Sequence, residues 1–265
     1  MSLTAAAHIS WLFTERPYLE RVGAAREAGL RTIETAWPAP ADHDGLAAAL
    51  AEHDVGVALL NCEEGDVQDG ERGFVNDPAR REEAERAFAA AAELAQRIGA
   101  REINVLVGRQ LADVSRERQR RAVVDSLRGF AEEASARGLG IVLEPLNEID
   151  NPGYLAPTPQ AAATLIEQVG SDAVGLLLDV YHVARAGADP LAAVERHAAL
   201  IRHVQLSDFP GRGQPGSGSL DIWTLLERLA ASGYTGAVGL EYEPRGIGTA
   251  SLGFLSDKRA AALFG

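Results

Sequence analysis

The sequence predicts one α/β domain over residues 1–265, folded as a (β/α)8 TIM barrel. Three observations carry this expectation. Short apolar runs alternate with amphipathic segments along the whole chain, the pattern of parallel strands joined by helices. Eight strand–helix repeats in roughly 250 residues is the size of such a barrel. A doubly wound open sheet is disfavoured because no Gly-rich dinucleotide fingerprint follows the first strand. No linker, low-complexity tract or second domain interrupts the pattern.

The elements follow in order. His8–Leu12 reads as a first strand and Pro17–Ala28 as a helix with Leu19, Val22 and Ala25 on one face, stopped by Gly29. Thr32–Thr35 is the second strand, and Asp44 opens a helix to His53. Val55–Asn61 is nearly all apolar, as a strand covered on both faces should be. A long loop, Cys62–Asp77, follows; loops of this length in compact domains are usually functional. Pro78 suits the first turn of a helix ending at Ile98-Gly99. Glu102–Val107 is the fourth strand, and Ser115 starts a helix ending near Gly138. Gly140–Glu144 is the fifth strand, and Thr158-Pro159 caps the helix to Val169. Val174–Asp179 is the sixth strand, with a helix opened by Asp189-Pro190. Ile201–Ser207 is the seventh, followed by a Gly/Pro loop and a helix over Leu220–Ala231. Ala237–Tyr242 is the eighth, and Ser256–Leu263 the last helix.

The formal net charge is −13 and the pI about 4.9, which argues against nucleic acid and anionic membranes as partners. A small anionic substrate stays compatible, because a local Arg or a metal ion reverses the field around it. The single cysteine, Cys62, excludes an internal disulfide and thiolate metal clusters. The chain shows no secretory signal pattern and no apolar run long enough to span a bilayer, so a cytoplasmic location is expected. The oligomeric state stays open, a homo-oligomer included.

In a barrel of this kind chemistry sits at the C-terminal ends of the strands. Apolar runs there end in charge: Ile-Val-Leu before Glu144, Leu-Leu-Leu before Asp179, Val-Gly-Leu before Glu241. Strand seven carries Gln205, and His182 follows Asp179 by three residues. A single acid in such a position is explained by solvent or an arginine partner. Acids at the same end of several strands converge on one axis, where unpaired charge is costly. Glu144, Asp179, Gln205 and Glu241 would form an oxygen-rich cage suited to Mg²⁺ or Mn²⁺. Glu144 and Glu241, on strands five and eight, are far enough apart to flank a small substrate. Two carboxylates across one metal suit proton transfer between adjacent carbons through an enediolate. Arg212, in the loop after strand seven, is a natural carboxylate clamp.

These residues lie within motifs that resemble one family. SWLFTERPYLER (Ser10–Arg21), GDVQDGERG (Gly65–Gly73), NVLVG (Asn104–Gly108), LEPLN…DNPGY (Leu143–Tyr154), DVYH (Asp179–His182), HVQLSDFPGRGQPGSG (His203–Gly218) and GLEYEP (Gly239–Pro244) are similar to those of hydroxypyruvate isomerases, within the xylose isomerase-like barrels. The resemblance covers nearly the whole chain. It implies that Glu144, Asp179, Gln205 and Glu241 bind the metal, that Glu144 and Glu241 are the acid/base pair, and that His182 and Arg212 contact substrate. The implied reaction interconverts hydroxypyruvate and tartronate semialdehyde, with no organic cofactor. The chain departs from the family's usual residues at Glu63, Ser219, Glu243 and in Trp37-Pro38-Ala39-Pro40, all around the expected pocket.

Arg109 is a second candidate anion contact. His8 is expected at the barrel floor or wall, without a ligand role, and Glu34, outside the metal set, either lines the pocket or pairs with Arg31 or a neighbour. Trp11 and Trp37 wall the pocket or pack in the core. An isomerase of a longer oxo sugar acid of the 2-oxo-tetronate type, or a ketose 3-epimerase, would share the chemistry. An abasic-site endonuclease would need more histidine ligands and a basic face than six histidines and a charge of −13 provide. A non-catalytic metabolite-binding barrel would have no use for the full cage.

Overall fold

The structure is a computed structural model that describes residues 2–246 and 249–264. Eight parallel strands close into one barrel in sequence order: β1 (Thr4–His8), β2 (Thr32–Thr35), β3 (Gly56–Asn61), β4 (Glu102–Asn104), β5 (Gly140–Leu143), β6 (Val174–Asp179), β7 (Ile201–Leu206) and β8 (Ala237–Leu240). Around them run α1 (Glu20–Glu27), α2 (His43–His53), α3 (Arg81–Ile98), α4 (Arg116–Ala136), α5 (Pro159–Val169), α6 (Val180–Arg185), α7 (Pro190–His197), α8 (Ile222–Ala231) and α9 (Lys258–Phe264). Among the described residues no helix is long and apolar enough to cross a membrane.

Local chemistry accounts for the boundaries. The side chains of Ser115, Thr158, Asp189 and Asp221 accept bonds from the first-turn amides of α4, α5, α7 and α8. Gly99 and Gly170 close α3 and α5 at φ +70. The α3 face toward the strands is a stripe of Ala84, Ala87, Ala91, Ala92 and Ala95, which lets the helix approach closely, and Phe88 stacks on Phe130 of α4 at 4.4 Å.

One expectation is corrected in a way that matters. The first strand is Thr4–His8, not His8–Leu12. The segment after His8 is a turn, with Trp11 and Leu12 amides bonded to the His8 carbonyl, and its apolar Ile9, Leu12 and Phe13 are buried as a packed loop. His8 therefore stands at the C-terminal end of its strand. The fourth strand is shorter than expected, ending at Asn104 rather than Val107, and the fifth and eighth strands stop one and two residues early. Glu144 and Glu241 thus sit just past the last paired residues, where the chain turns away over the barrel mouth.

The period of two along each strand sorts the barrel interior into layers. Glu144 and Val142, Asp179 and Leu177, Gln205 and His203, Glu241 and Gly239 are consecutive residues of one face on their strands. Leu59, Val142 and Leu177 form a small apolar cluster of their own in the layer beneath the site. The opposite side of that layer is polar, built from Glu34 and His203.

Candidate active site

Two large cavities lie at opposite ends of the barrel. One, about 620 Å³, is lined by strand starts such as Thr4, Thr32 and Ile201, and Arg202 bonds both carboxylate oxygens of Glu102 there. That end of a barrel serves stability. The other, about 590 Å³, opens at the strand C-termini and is lined by His8, Trp11, Glu144, Asp179's neighbour Tyr181, His182, Arg212 and Glu241, together with Asn61, Glu64, Arg72 and Asn151.

The acids converge as expected. Glu144, Asp179 and His182 each offer an atom within 4.8 Å of the others. Asn104 Nδ2 donates to Glu144 Oε2 at 2.7 Å, and the Tyr181 amide donates to Asp179 Oδ1 at 2.8 Å. Arg212 Nη2 bridges Asp179 Oδ2 at 2.9 Å and Glu241 Oε2 at 2.7 Å. His8 Nε2 stands 3.7 Å from Glu241 Oε1, so the corrected first strand brings His8 to the site itself.

Burial and mutual repulsion divide these acids. Burial, with Glu241 and Asp179 nearby, pushes the Glu144 carboxyl well above its usual range. Burial also lifts Asp179, to about 7, against the opposing pull of Arg212. Glu241 is buried too, yet Arg212, His8 and His182 bring it below the ordinary carboxylate value. Burial works against the Arg212 cation, but Glu241, Asp179 and Glu144 more than restore it.

Arg212 is held by a loop wound around one carboxylate. Asp208, fully buried, accepts from the amides of Phe209, Gly216, Gly218 and Leu220 at 2.8–3.1 Å. A Cβ at Gly218 would meet Asp208 and the Phe209 carbonyl. The turn places Arg212 at φ 49 and lays its guanidinium over Trp11 at 4.5 Å and Tyr181 at 5.0 Å.

His182 is fixed as a donor. Asn147 Oδ1 accepts from the Ile149 and Asp150 amides at 3.1 and 2.9 Å, which settles the orientation of its carboxamide. Its Nδ2, 2.7 Å away, and its backbone N–H, 3.1 Å away, then both donate to His182 Nδ1. An imidazole accepting at Nδ1 carries its proton on Nε2. Burial and the Arg212 charge lower the ring's pKa to about 3, so it is neutral. Nε2–H points toward Asp179 Oδ2 and Glu144 Oε1, 3.6 and 3.8 Å away. His182 therefore clusters with the acids geometrically but offers a cation no lone pair; it offers an N–H to an oxygen.

A hard divalent cation fits the remaining donors. Glu144, Asp179 and Glu241 are three carboxylates in low dielectric, with Arg212 the cation bonded to two of them. Gln205 adds a buried amide oxygen, Oε1, with no hydrogen-bond partner, on the strand position paired with Asp179. All are oxygen donors of the type Mg²⁺ and Mn²⁺ take.

Not every candidate joins this group. Arg109 is bridged through its backbone to Tyr154, its guanidinium lies beside Gly70, and it does not line the cavity. Trp11 lines the cavity, whereas Trp37 packs edge-on against His43. Glu34 neither lines the cavity nor pairs with Arg31, which bonds Asp54; it is bonded by His203 and Gln205 in the barrel interior. Sequence reasoning missed Asn147, Asp208 and Asn104. The Asn147 signal was local, since Asn three residues before Asp at a strand end favours an Asx turn. Asn104 needed the barrel register with Val142 to become visible.

Comparison with known proteins shows the family. A family model described as "Xylose isomerase-like TIM barrel" matches residues 22–260. A hydroxypyruvate isomerase from Escherichia coli K12 is 33% identical over 97% of this chain and 100% of its own length. A 2-oxo-tetronate isomerase from Cupriavidus necator is 32% identical, covering 94% of this chain and 96% of its own. A crystal structure titled AP endonuclease, family 2, from Brucella melitensis superposes with a TM-score of 0.92 at 30% identity, over 96% of this chain and 98% of that one.

Proposed function

This chain belongs to the xylose isomerase-like TIM-barrel family, and on that premise we propose that it is a metal-dependent isomerase of a small hydroxy-keto acid, with hydroxypyruvate and tartronate semialdehyde as the substrate pair. The observation that carries this reading is the convergence of three buried carboxylates at one cavity, Glu144 within 4.8 Å of Asp179, and Glu241 tied to Asp179 through the Arg212 guanidinium. Relatives named as isomerases over nearly their full length support it.

Glu144, Asp179, Glu241 and the amide oxygen of Gln205 would hold a Mg²⁺ or Mn²⁺ ion. Bound there, the ion would supply Lewis-acid polarisation of the substrate carbonyl and adjacent hydroxyl. The chain's own residues perform the proton transfers. Glu241 removes a proton from the hydroxyl-bearing carbon C3 of hydroxypyruvate, and the released electron pair forms the C2=C3 double bond of the enediolate. Glu144, from the opposite strand, returns a proton to C2. The C3 hydroxyl proton passes to the C2 oxygen as the aldehyde forms, so the net change moves one C–H and one O–H by one position, and exchange with solvent then returns Glu241 and Glu144 to their starting protonation. His182 Nε2–H donates to the oxygen that gains charge. Arg212, whose Nε is buried without a partner, binds the substrate carboxylate.

A longer oxo sugar acid of the 2-oxo-tetronate type is the second reading. It is favoured by a cavity of about 590 Å³ whose lining also includes the polar side chains of Arg72 and Asn151. The endonuclease reading lacks the basic surface that DNA requires, since the net charge is −13.

The test is proton exchange. Protein stripped with EDTA and given Mn²⁺ or Mg²⁺ is incubated in D₂O with hydroxypyruvate, 2-oxo-tetronate and a panel of ketoses, and followed by NMR. Metal-dependent loss of the C3 proton signal with hydroxypyruvate is expected. Absence of such exchange with every compound sinks the isomerase reading, and exchange with the four-carbon acid alone selects the second.

A further inference from the structure

The interior of a barrel of this kind is normally filled with branched aliphatic side chains. Here the layer beneath the cavity contains an acid and a histidine, 0% and 1% exposed. His203 Nε2 donates to Glu34 Oε2 at 2.5 Å, and Gln205 Nε2 donates to Glu34 Oε1 at 3.1 Å. The space for Glu34 is made by Gly239 on β8, where any Cβ would collide with the Glu34 carboxylate. Replacing a buried charged pair by apolar residues of similar volume is often neutral or stabilising. The pair therefore calls for a reason other than folding.

Gln205 supplies one. A carboxamide presents a donor at one end and an acceptor at the other, and nothing in its shape distinguishes them. Turning Gln205 over would set its oxygen against an oxygen of Glu34, so the carboxylate selects the orientation with Nε2 toward itself. That selection leaves Gln205 Oε1 as a buried acceptor with no hydrogen-bond partner. Gln205 pairs in register with Asp179 on one side and Gly239 on the other. A buried acceptor without a partner is costly, so its retention on the strand position paired with Asp179 points to a cation.

We infer that Glu34, itself anchored by His203, is a positioning residue that holds the Gln205 amide with its oxygen toward the Glu144–Asp179–Glu241 cluster and its nitrogen away from it. Glu34 touches neither substrate nor metal; it acts through Gln205. This rests on the cation cage proposed above. Partners of this kind behind a metal ligand typically carry about 10–100-fold in metal affinity.

The experiment is a Mn²⁺ titration by electron paramagnetic resonance on EDTA-stripped full-length protein: wild type, Glu34→Gln, Gln205→Ala and the double variant. Glu34→Gln, which lets the Gln205 amide turn over, is expected to weaken Mn²⁺ binding at least 10-fold. The double variant is expected to bind as Gln205→Ala does, because Glu34 has no other route to the metal. Wild-type affinity in Glu34→Gln, or losses that multiply in the double variant, overturn the inference while leaving the cage intact. Absence of Mn²⁺ binding by the wild type overturns the cage and this inference together. Should Glu34→Gln not fold, Glu34→Asp, which withdraws the carboxylate by one methylene, takes its place with the same expected and overturning results.

Discussion

Arg212→Gln tests whether the guanidinium is the structural counter-charge of the acid cluster. Its Nη2 lies 2.9 Å from Asp179 and 2.7 Å from Glu241, with only 16% of the side chain exposed. At pH 9, where Asp179, lifted to about 7, is ionised, two unit charges about 4 Å apart attract by about 4 kcal/mol at an effective dielectric of 20, so the two contacts sum to about 8 kcal/mol. Desolvating the three charged groups offsets several kcal/mol of this. Removing one partner from such a buried set costs about 3–5 kcal/mol. For a chain of this size each kcal/mol moves Tm by about 2–4 °C, so a drop of about 6–20 °C is expected. The assay is urea and thermal unfolding at pH 9 in EDTA, where no added cation substitutes for the lost charge. The urea midpoint should fall with its slope unchanged. Arg31→Gln, which breaks an exposed ion pair with Asp54, is the control and should cost under about 1 kcal/mol. A loss in Arg212→Gln no larger than in that control refutes the counter-charge argument.

Two further outcomes are expected. Asn147→Ala removes the side-chain donor that helps pin His182 Nδ1, so kcat/KM should fall about 10–100-fold, and ¹⁵N spectra of the imidazole should show the Nδ1–H form gaining population; an unchanged ¹⁵N pattern refutes the tautomer assignment. Burial pushes the Cys62 thiol up to about 12, so at pH 8 the neutral thiol dominates in the folded chain. Its reaction with a thiol reagent should be slow in buffer and rapid in urea, and fast labelling of the native protein contradicts the buried assignment.

Much of the architecture was legible because strand and helix periods differ. β2 and β6 run over the residues their apolar patterns predict, and the acids at the ends of strands five, six and eight converge because a closed parallel barrel puts all strand ends on one axis. The first strand was not legible. Thr4–His8 is mostly alanine, with low strand preference, while the following Ile9–Phe13 is apolar enough to imitate a strand. Pairing with β8 and β2, which no local pattern encodes, decided it, and His8 moved from the floor to the cavity.

The residue types and their places at strand ends follow from the sequence alone: three acids and an amide after or within apolar runs, and an arginine in a Gly/Pro loop. What each of them can do was decided only by tertiary structure. Carboxyls of ordinary type become a high Glu144, because burial and the neighbouring acids raise it, and a low Glu241, because one guanidinium bonds it directly. His182 becomes a neutral N–H donor because Asn147, thirty-five residues away, bonds its other nitrogen. Gln205 turns its nitrogen to Glu34 because a glycine on a neighbouring strand leaves room for that carboxylate. Charge and hydrogen-bond direction depend on distances of a few ångströms across the barrel, and sequence separation carries no information about those.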